Sequence, residues 1–188
     1  MRVLITGVTG FVGSHMVDYI LKHTNDEIYG FKRWMEDTTN INHLIDNSRV
    51  TLIDGDLIDY ASVERAIKIS KPDKVFHFAA QSFPEVSFIT PIITLQTNTI
   101  GTTHLLESIK ESEYNPVIVS VSTSEVYGMP KEDEIPIRET NPIRAANPYS
   151  ISKVGHDLMS QYYHKAFGMK IITTRMFSHE GARRGKEF

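Results

Sequence analysis

Apolar residues recur along this chain in short runs, separated by longer stretches with helical spacing. Residues 2–6 carry the apolar run Val3-Leu4-Ile5 and end at Thr6, the pattern of a strand buried on both faces. Residues 11–22 follow with Phe11, Val12, Met16, Tyr19 and Ile20 spaced for one helix face. The alternation then repeats. Strands are predicted at 27–31, 50–53, 74–78, 116–122 and 170–174, and helices at 62–70, 91–112 and 149–167. Gly168 ends the last helix. Repeated β-α-β units with short apolar strands predict an α/β fold, a doubly wound parallel sheet with helices on both faces.

One segment breaks the rhythm. Residues 126–148 carry Pro130, Pro136, Pro142 and Pro148. That is long for a connection between elements, and such loops are often lids or binding loops; a solvated surface excursion is the plainer reading. In open α/β sheets, ligands sit outside the carboxyl ends of the strands. Thr123-Ser124-Glu125 leaves the fifth strand, so a hydroxyl and a carboxylate are delivered there together. Tyr149 and Lys153 lie four residues apart on the next helix and share a face. An ammonium beside a phenol favours phenolate, which suits a general base.

Between the first strand and first helix lies Thr6-Gly7-Val8-Thr9-Gly10-Phe11-Val12-Gly13. Glycines there permit close backbone approach to a pyrophosphate, and the helix N-terminus favours anions. This marks a Rossmann-like dinucleotide site. The second strand ends in Lys32-Arg33, where an NAD-binding domain places an acid; the first acid, Glu36, comes several residues later. An Arg accommodates a 2′-phosphate, so NADP is expected on Arg33, with NAD the lesser expectation.

Composition narrows the rest. A length of 188 residues suits one domain, and a net charge of −3 offers no pull towards nucleic acid or anionic membranes. The basic tail Arg183-Arg184-Gly185-Lys186 is short and lacks interleaved aromatics. No cysteine is present, which removes disulfides and thiolate metal sites and fits a cytoplasmic location. His15, His77 and His156 read as packed or surface residues, and no histidine pair has metal-binding spacing, so no metal is expected. Met1-Arg2 runs straight into the first strand with no leader pattern, and no apolar run is long enough to span a bilayer.

The glycine loop, Asp56-Leu57, Phe78-Ala79-Ala80-Gln81-Ser82 and the Tyr149/Lys153 pair together resemble the extended short-chain dehydrogenase/reductase family. Ser122 to Gly128, Gln81-Ser82 with Ser87-Phe88, and His179-Glu180 with Arg183-Arg184-Gly185 and Phe188 resemble its GDP-mannose 4,6-dehydratase branch. That branch carries Thr-Ser-Glu, as here, where the dTDP-glucose dehydratases carry Thr-Asp-Glu. The resemblance implies catalytic roles for Thr123, Glu125, Tyr149 and Lys153. It implies cofactor contacts from Gly7 to Val12, and from Asp56, Leu57, Phe78 to Ser82, Lys153, His179 and Arg184. Two positions depart from the pattern: Ser178 replaces an Asn that meets the nucleotide-sugar, and Ile93 a Tyr that meets the cofactor.

The resemblance also implies a longer protein whose smaller substrate-binding part follows residue 188. It implies a homodimer or homotetramer built on the helices at 91–112 and 149–167, to which Leu105, Leu106, Ile109, Leu158, Met159, Tyr162 and Tyr163 are candidate contributors. The expected reaction turns GDP-mannose into its 4-keto-6-deoxy product. Tyr149 takes the 4-hydroxyl proton, Thr123 bonds the 4-oxygen, and Glu125 takes the proton from carbon 5. A reductase or epimerase on the same fold, and an NADP-sensing module without activity, are the alternatives the sequence leaves open.

Overall fold

The computed structural model describes residues 1–185. Its six strands are β1 (Arg2–Thr6), β2 (Glu27–Lys32), β3 (Val50–Asp54), β4 (Lys74–His77), β5 (Val117–Thr123) and β6 (Lys170–Met176). All pair in parallel, in the order β3-β2-β1-β4-β5-β6. The order reverses direction between β1 and β4, so a crevice opens at their carboxyl ends. Thr6 is in register with Phe31 on one side and His77 on the other, which brings three strand exits level.

Helices α1 (Phe11–His23), α2 (Tyr60–Ser70), α3 (Pro84–Ile89), α4 (Pro91–Leu95), α5 (Gly101–Lys110) and α6 (Pro148–Phe167) cover the two faces. Successive strand residues face opposite sides. Leu4, Val75 and Ile118 therefore meet Val63 and Ile67 of α2 and Leu105 and Ile109 of α5. Val3, Ile5 and Ile28 meet Val17 and Ile20 of α1 on the other side. A short 3₁₀ segment, Thr39–Leu44, completes that second core with Ile41 and Leu44. No helix among the described residues is long and apolar enough to cross a membrane.

Three expectations change. The helix expected at 91–112 is α4 and α5 joined by a π-helical turn, Gln96–Ile100. Its cause is local: buried Asn98 turns inward to accept from the Gln81 N–H at 2.8 Å and donate to the Gln81 carbonyl at 2.9 Å. Helix α3 was not expected, because its six residues are too few to show a period. Leu105, Leu106, Ile109 and Tyr163 are buried in the chain's own core and are not free for a subunit interface. Leu158 and Tyr162 remain exposed, as do Ile92 and Ile151.

The face of α6 against the sheet is polar: Ser152, Lys153, His156, Asp157 and Ser160 are all buried. Thr102 of α5 joins it to β4. Its hydroxyl donates to the Asn98 carbonyl at 2.6 Å. Having one proton, it must then accept from His77 Nε2 at 2.9 Å and from His156 Nδ1 at 2.8 Å. That fixes both tautomers. His77 Nδ1 accepts from Thr6, and His156 Nε2 accepts from Ser120. Thr102→Val keeps the volume but strands both imidazole N–H groups. The expected loss is about 2–4 kcal/mol, or roughly 4–16 °C in Tm for a chain of this size, read by thermal unfolding.

Candidate active site

The site begins with a backbone constraint. Gly7 leaves β1 at φ +70°, and a Cβ there would lie 2.8 Å from Ala79 N. A Cβ on Gly13 would lie 2.2 Å from the Gly7 carbonyl oxygen. Only glycine lets α1 start hard against this loop. Gly10 is the N-cap and supplies no side chain to the first amides of α1. Those amides are the donors an anionic phosphate would take. The loop is braced from outside by Asn40, whose side-chain amide donates to the Thr9 carbonyl at 3.0 Å.

An open cleft of about 1220 Å³ lies across the strand exits, ample for a dinucleotide. Gly7, Thr9, Gly10, Phe11, Val12 and Gly13 line its floor. Asp56 and Leu57 enter after β3, and Phe78, Ala79, Ala80, Gln81 and Ser82 after β4. Thr123, Glu125, Tyr149 and Lys153 gather at one end. His179 and Arg184 form part of the far wall, where His179 stacks on Phe11 and its carbonyl accepts from Arg184 at 2.8 Å. Val8 departs from expectation: its side chain is buried against β2 rather than lining the cleft. Lys186 and Phe188 lie outside the described residues.

Arg33 reaches the mouth of the cleft, and so do Glu36 and Asp37. Glu36 is nearer than its sequence distance implied. The chain turns back after Arg33, and the Glu36 carboxylate accepts from both the Arg33 amide at 3.1 Å and its guanidinium at 3.2 Å. Lys32 is committed elsewhere, to Asp54 at 2.6 Å. This part of the cleft therefore holds a cation and carboxylates side by side.

At the other end, Thr123 caps the 3₁₀ turn Ser124–Tyr127, accepting from the Glu125 amide at 3.3 Å. That turn presents Glu125 to the cleft. Its far side is tied down by Arg175 of β6, which donates to Asp157 at 2.8 Å and to the Tyr127 hydroxyl at 3.0 Å. Arg175 also donates to the Glu139 carbonyl at 3.0 Å, and Arg144 makes a bidentate pair with Glu134 at 2.7 Å. The long loop after β5 is thus tied to β6 through Tyr127 and Glu139 and braced within itself by Arg144 and Glu134, and residues 126–148 do not line the cleft.

The electrostatics correct one expectation. Burial pushes the Tyr149 phenol up; the Thr123 hydroxyl pulls it down, and Glu125 pushes it up again. The phenol therefore stands above its ordinary value. The Lys153 ammonium donates to the Val121 carbonyl at 2.5 Å, and burial pulls it down to about 7 despite the opposing Asp157 carboxylate. Burial likewise pulls His77 down to about 3 and His156 well below the ordinary range, helped by the Lys153 charge.

These shifts set the pH dependence of stability. Lys153 binds its proton less tightly folded than unfolded, so its penalty is full below pH 7 and fades as pH rises from about 7 to 10.5. His77 is neutral when folded, so stability falls as pH drops from about 6.5 towards 3. Urea unfolding of the cofactor-free protein at pH 5, 7 and 9 is expected to show rising stability across the series. Lys153→Met is expected to be more stable at pH 7 and to flatten the alkaline part of the curve.

Sequence comparison agrees with this geometry. The family model described as GDP-mannose 4,6 dehydratase matches residues 4–188. A GDP-mannose 4,6-dehydratase of Vibrio cholerae is 34% identical over 196 residues, covering all of this chain and 52% of the relative. A dTDP-glucose 4,6-dehydratase of Streptomyces venezuelae, solved with NAD, superposes at TM-score 0.92 and 29% identity, over all of this chain and 59% of that one. A UDP-glucose 4-epimerase of Thermus thermophilus, also solved with NAD, superposes at TM-score 0.80 and 31% identity, over 93% of this chain and 54% of that one. The chain spans about half the length of the curated relatives it matches. With its glycine cradle, its Thr/Glu strand exit and its Tyr/Lys helix, it belongs to the GDP-mannose 4,6-dehydratase family of nucleotide-sugar dehydratases and epimerases.

Proposed function

We propose that residues 1–188 form the cofactor-binding domain, with the acid–base residues, of a nucleotide-sugar 4,6-dehydratase acting on GDP-mannose. The carrying observation is the convergence of Thr123, Glu125 and Tyr149 on one end of a cleft whose other end is a pyrophosphate cradle. The cradle fits a dinucleotide because side chains are excluded from it at Gly7 and Gly13 and its helix amides have no side-chain cap. When bound, a nicotinamide supplies hydride chemistry, accepting at carbon 4 of the sugar and returning to carbon 6.

The chain's own residues move the protons. As phenolate, the form that positive charge on Lys153 and on a bound nicotinamide would favour, Tyr149 takes the proton of the 4-hydroxyl, while the Thr123 hydroxyl beside it bonds the 4-oxygen. The 4-ketone so formed acidifies the hydrogen on carbon 5. Glu125 removes that hydrogen as a proton, and hydroxide leaves carbon 6 as water with a proton from the same carboxyl group. Lys153, with a carbonyl on one side and the cleft on the other, is placed to hold a ribose hydroxyl and to add positive charge when protonated.

An epimerase also needs a base at carbon 4 but none at carbon 5. The likeness to the Thermus epimerase keeps that reading in play, and the Glu125 carboxylate on the cleft wall favours elimination. Ser124 in the tripeptide supports the GDP-mannose branch. Exposed Ile151, Leu158 and Tyr162 on α6 support a homodimer or homotetramer through that helix.

Two tests follow. In the full-length protein, Glu125→Gln is expected to lower formation of 4-keto-6-deoxy sugar from GDP-mannose about 10²–10⁴-fold, the range for loss of a general base. Unchanged product formation removes Glu125 from the chemistry. For the cofactor, Arg33 supports NADP, whereas Glu36 and Asp37 at the same corner support NAD. Arg33→Ala is expected to weaken NADP about tenfold and to leave NAD unchanged, measured by titration calorimetry. Equal losses for both cofactors would count against a 2′-phosphate contact.

A further inference from the structure

We propose that Asn147 is a positioning residue for Glu125, holding its carboxylate in line for carbon 5. The inference rests on the reading of Glu125 as the base at that carbon. Asn147 precedes Pro148, the first residue of α6, and is that helix's N-cap. Its Oδ1 accepts from the Ser150 amide at 2.7 Å. Because that oxygen is committed to a backbone N–H, the orientation of the amide is settled by its own hydrogen bond. Nδ2 must then face the other way, and it donates to Glu125 Oε2 at 3.1 Å.

The hydrogen bond from Asn147 is the only one that reaches the Glu125 carboxylate among the described residues. Oε1 receives no hydrogen bond among the described residues, and Glu125 lines the cleft. One oxygen is thus held by a neutral donor and the other is available to take a proton. The donor is itself rigid. Its capping box is closed by the Ser150 hydroxyl, which accepts from the Asn147 amide at 3.1 Å, and Pro148 restricts the backbone that follows. Without Asn147 a three-torsion side chain on a short turn would have no fixed direction. A base misplaced by about 1 Å costs up to 10²-fold in rate.

The capping role and the positioning role separate by substitution. Asn, Ser and Asp are comparable N-caps, but only Asn offers an amide donor to Glu125. Asn147→Ser keeps the cap and removes the donor. Asn147→Asp keeps the cap and sets a second carboxylate against the first, which disfavours its ionisation.

The experiment uses the full-length protein with GDP-mannose and follows solvent exchange of the carbon-5 hydrogen across pH, alongside Tm and affinity for NADP. Wild-type cofactor affinity is expected in both variants and wild-type Tm in Asn147→Ser, while Asn147→Asp is expected to lose Tm where both carboxylates are charged. Carbon-5 exchange is expected to fall about 10- to 100-fold in Asn147→Ser. Its acid limb is expected to move to higher pH in Asn147→Asp. Glu125→Gln is run beside them. If Glu125→Gln leaves the exchange intact, the underlying reading of Glu125 fails and this inference fails with it. If Glu125→Gln abolishes exchange while both Asn147 variants match wild type in rate and pH profile, positioning by Asn147 alone is overturned. If Asn147→Asp does not fold, Asn147→Ser decides.

Discussion

The seating of α6 on the sheet is the constraint from which the rest of the molecule follows. A helix usually meets a parallel sheet through apolar side chains, which tolerate small slips. Here the contact face carries Ser152, Lys153, His156, Asp157 and Ser160, all buried. Each has a particular partner: Asn98, the Val121 carbonyl, Thr102 with Ser120, Arg175, and Ser120 again. A slip by one residue would strand most of them, and buried unpaired polar groups cost more than the bonds they lose. The polar face therefore fixes the helix in register as an apolar face does not. Tyr149, one turn before Lys153, is carried to the carboxyl end of β5 by that registration.

The same network ties the two ends of the cleft together. Thr6, the residue before Gly7, bonds His77, which bonds Thr102, which bonds His156 on α6. Asn98 extends the connection to Gln81 after β4. The glycine cradle and the residues proposed for acid–base chemistry are thus parts of one hydrogen-bonded interior. The interior suppresses charge: burial keeps both imidazoles neutral and draws Lys153 towards neutrality. Arg175 with Asp157 is the exception, a buried ion pair satisfied on several sides, and it anchors the turn that carries Glu125.

The strands were legible because they are short, apolar and separated by helical stripes; β1 and α1 begin where the pattern places them. Gly7, Gly10 and Gly13 were legible because their spacing between a strand and a helix has one common physical use. Thr123, Glu125, Tyr149 and Lys153 were legible from their places at strand and helix starts. Asn98, Asn147 and Asn40 were not. An asparagine carries no periodic signal, and its worth depends on which backbone groups lie across from it. Glu36 reads as remote because it lies three residues after Arg33, but the chain turns back and brings it beside Arg33 in the cleft. Leu105, Leu106 and Ile109 could not be divided between core and subunit contact, because an apolar stripe does not say what covers it.

The sequence by itself determined the α/β class, the exits where chemistry gathers, and the residue types delivered to them. These depend on local pattern: period, glycine freedom, and the ends of apolar runs. Tertiary structure alone decided what those residues experience. Lys153 is a catalytic-looking amine in the sequence; in the fold it is a buried group at about 7, held by a carbonyl. Asn147 reads as a helix cap; in the fold its second hydrogen bond meets Glu125, twenty-two residues away. Desolvation and long-range hydrogen bonding depend on what packs around a group, and that information belongs to the folded chain as a whole.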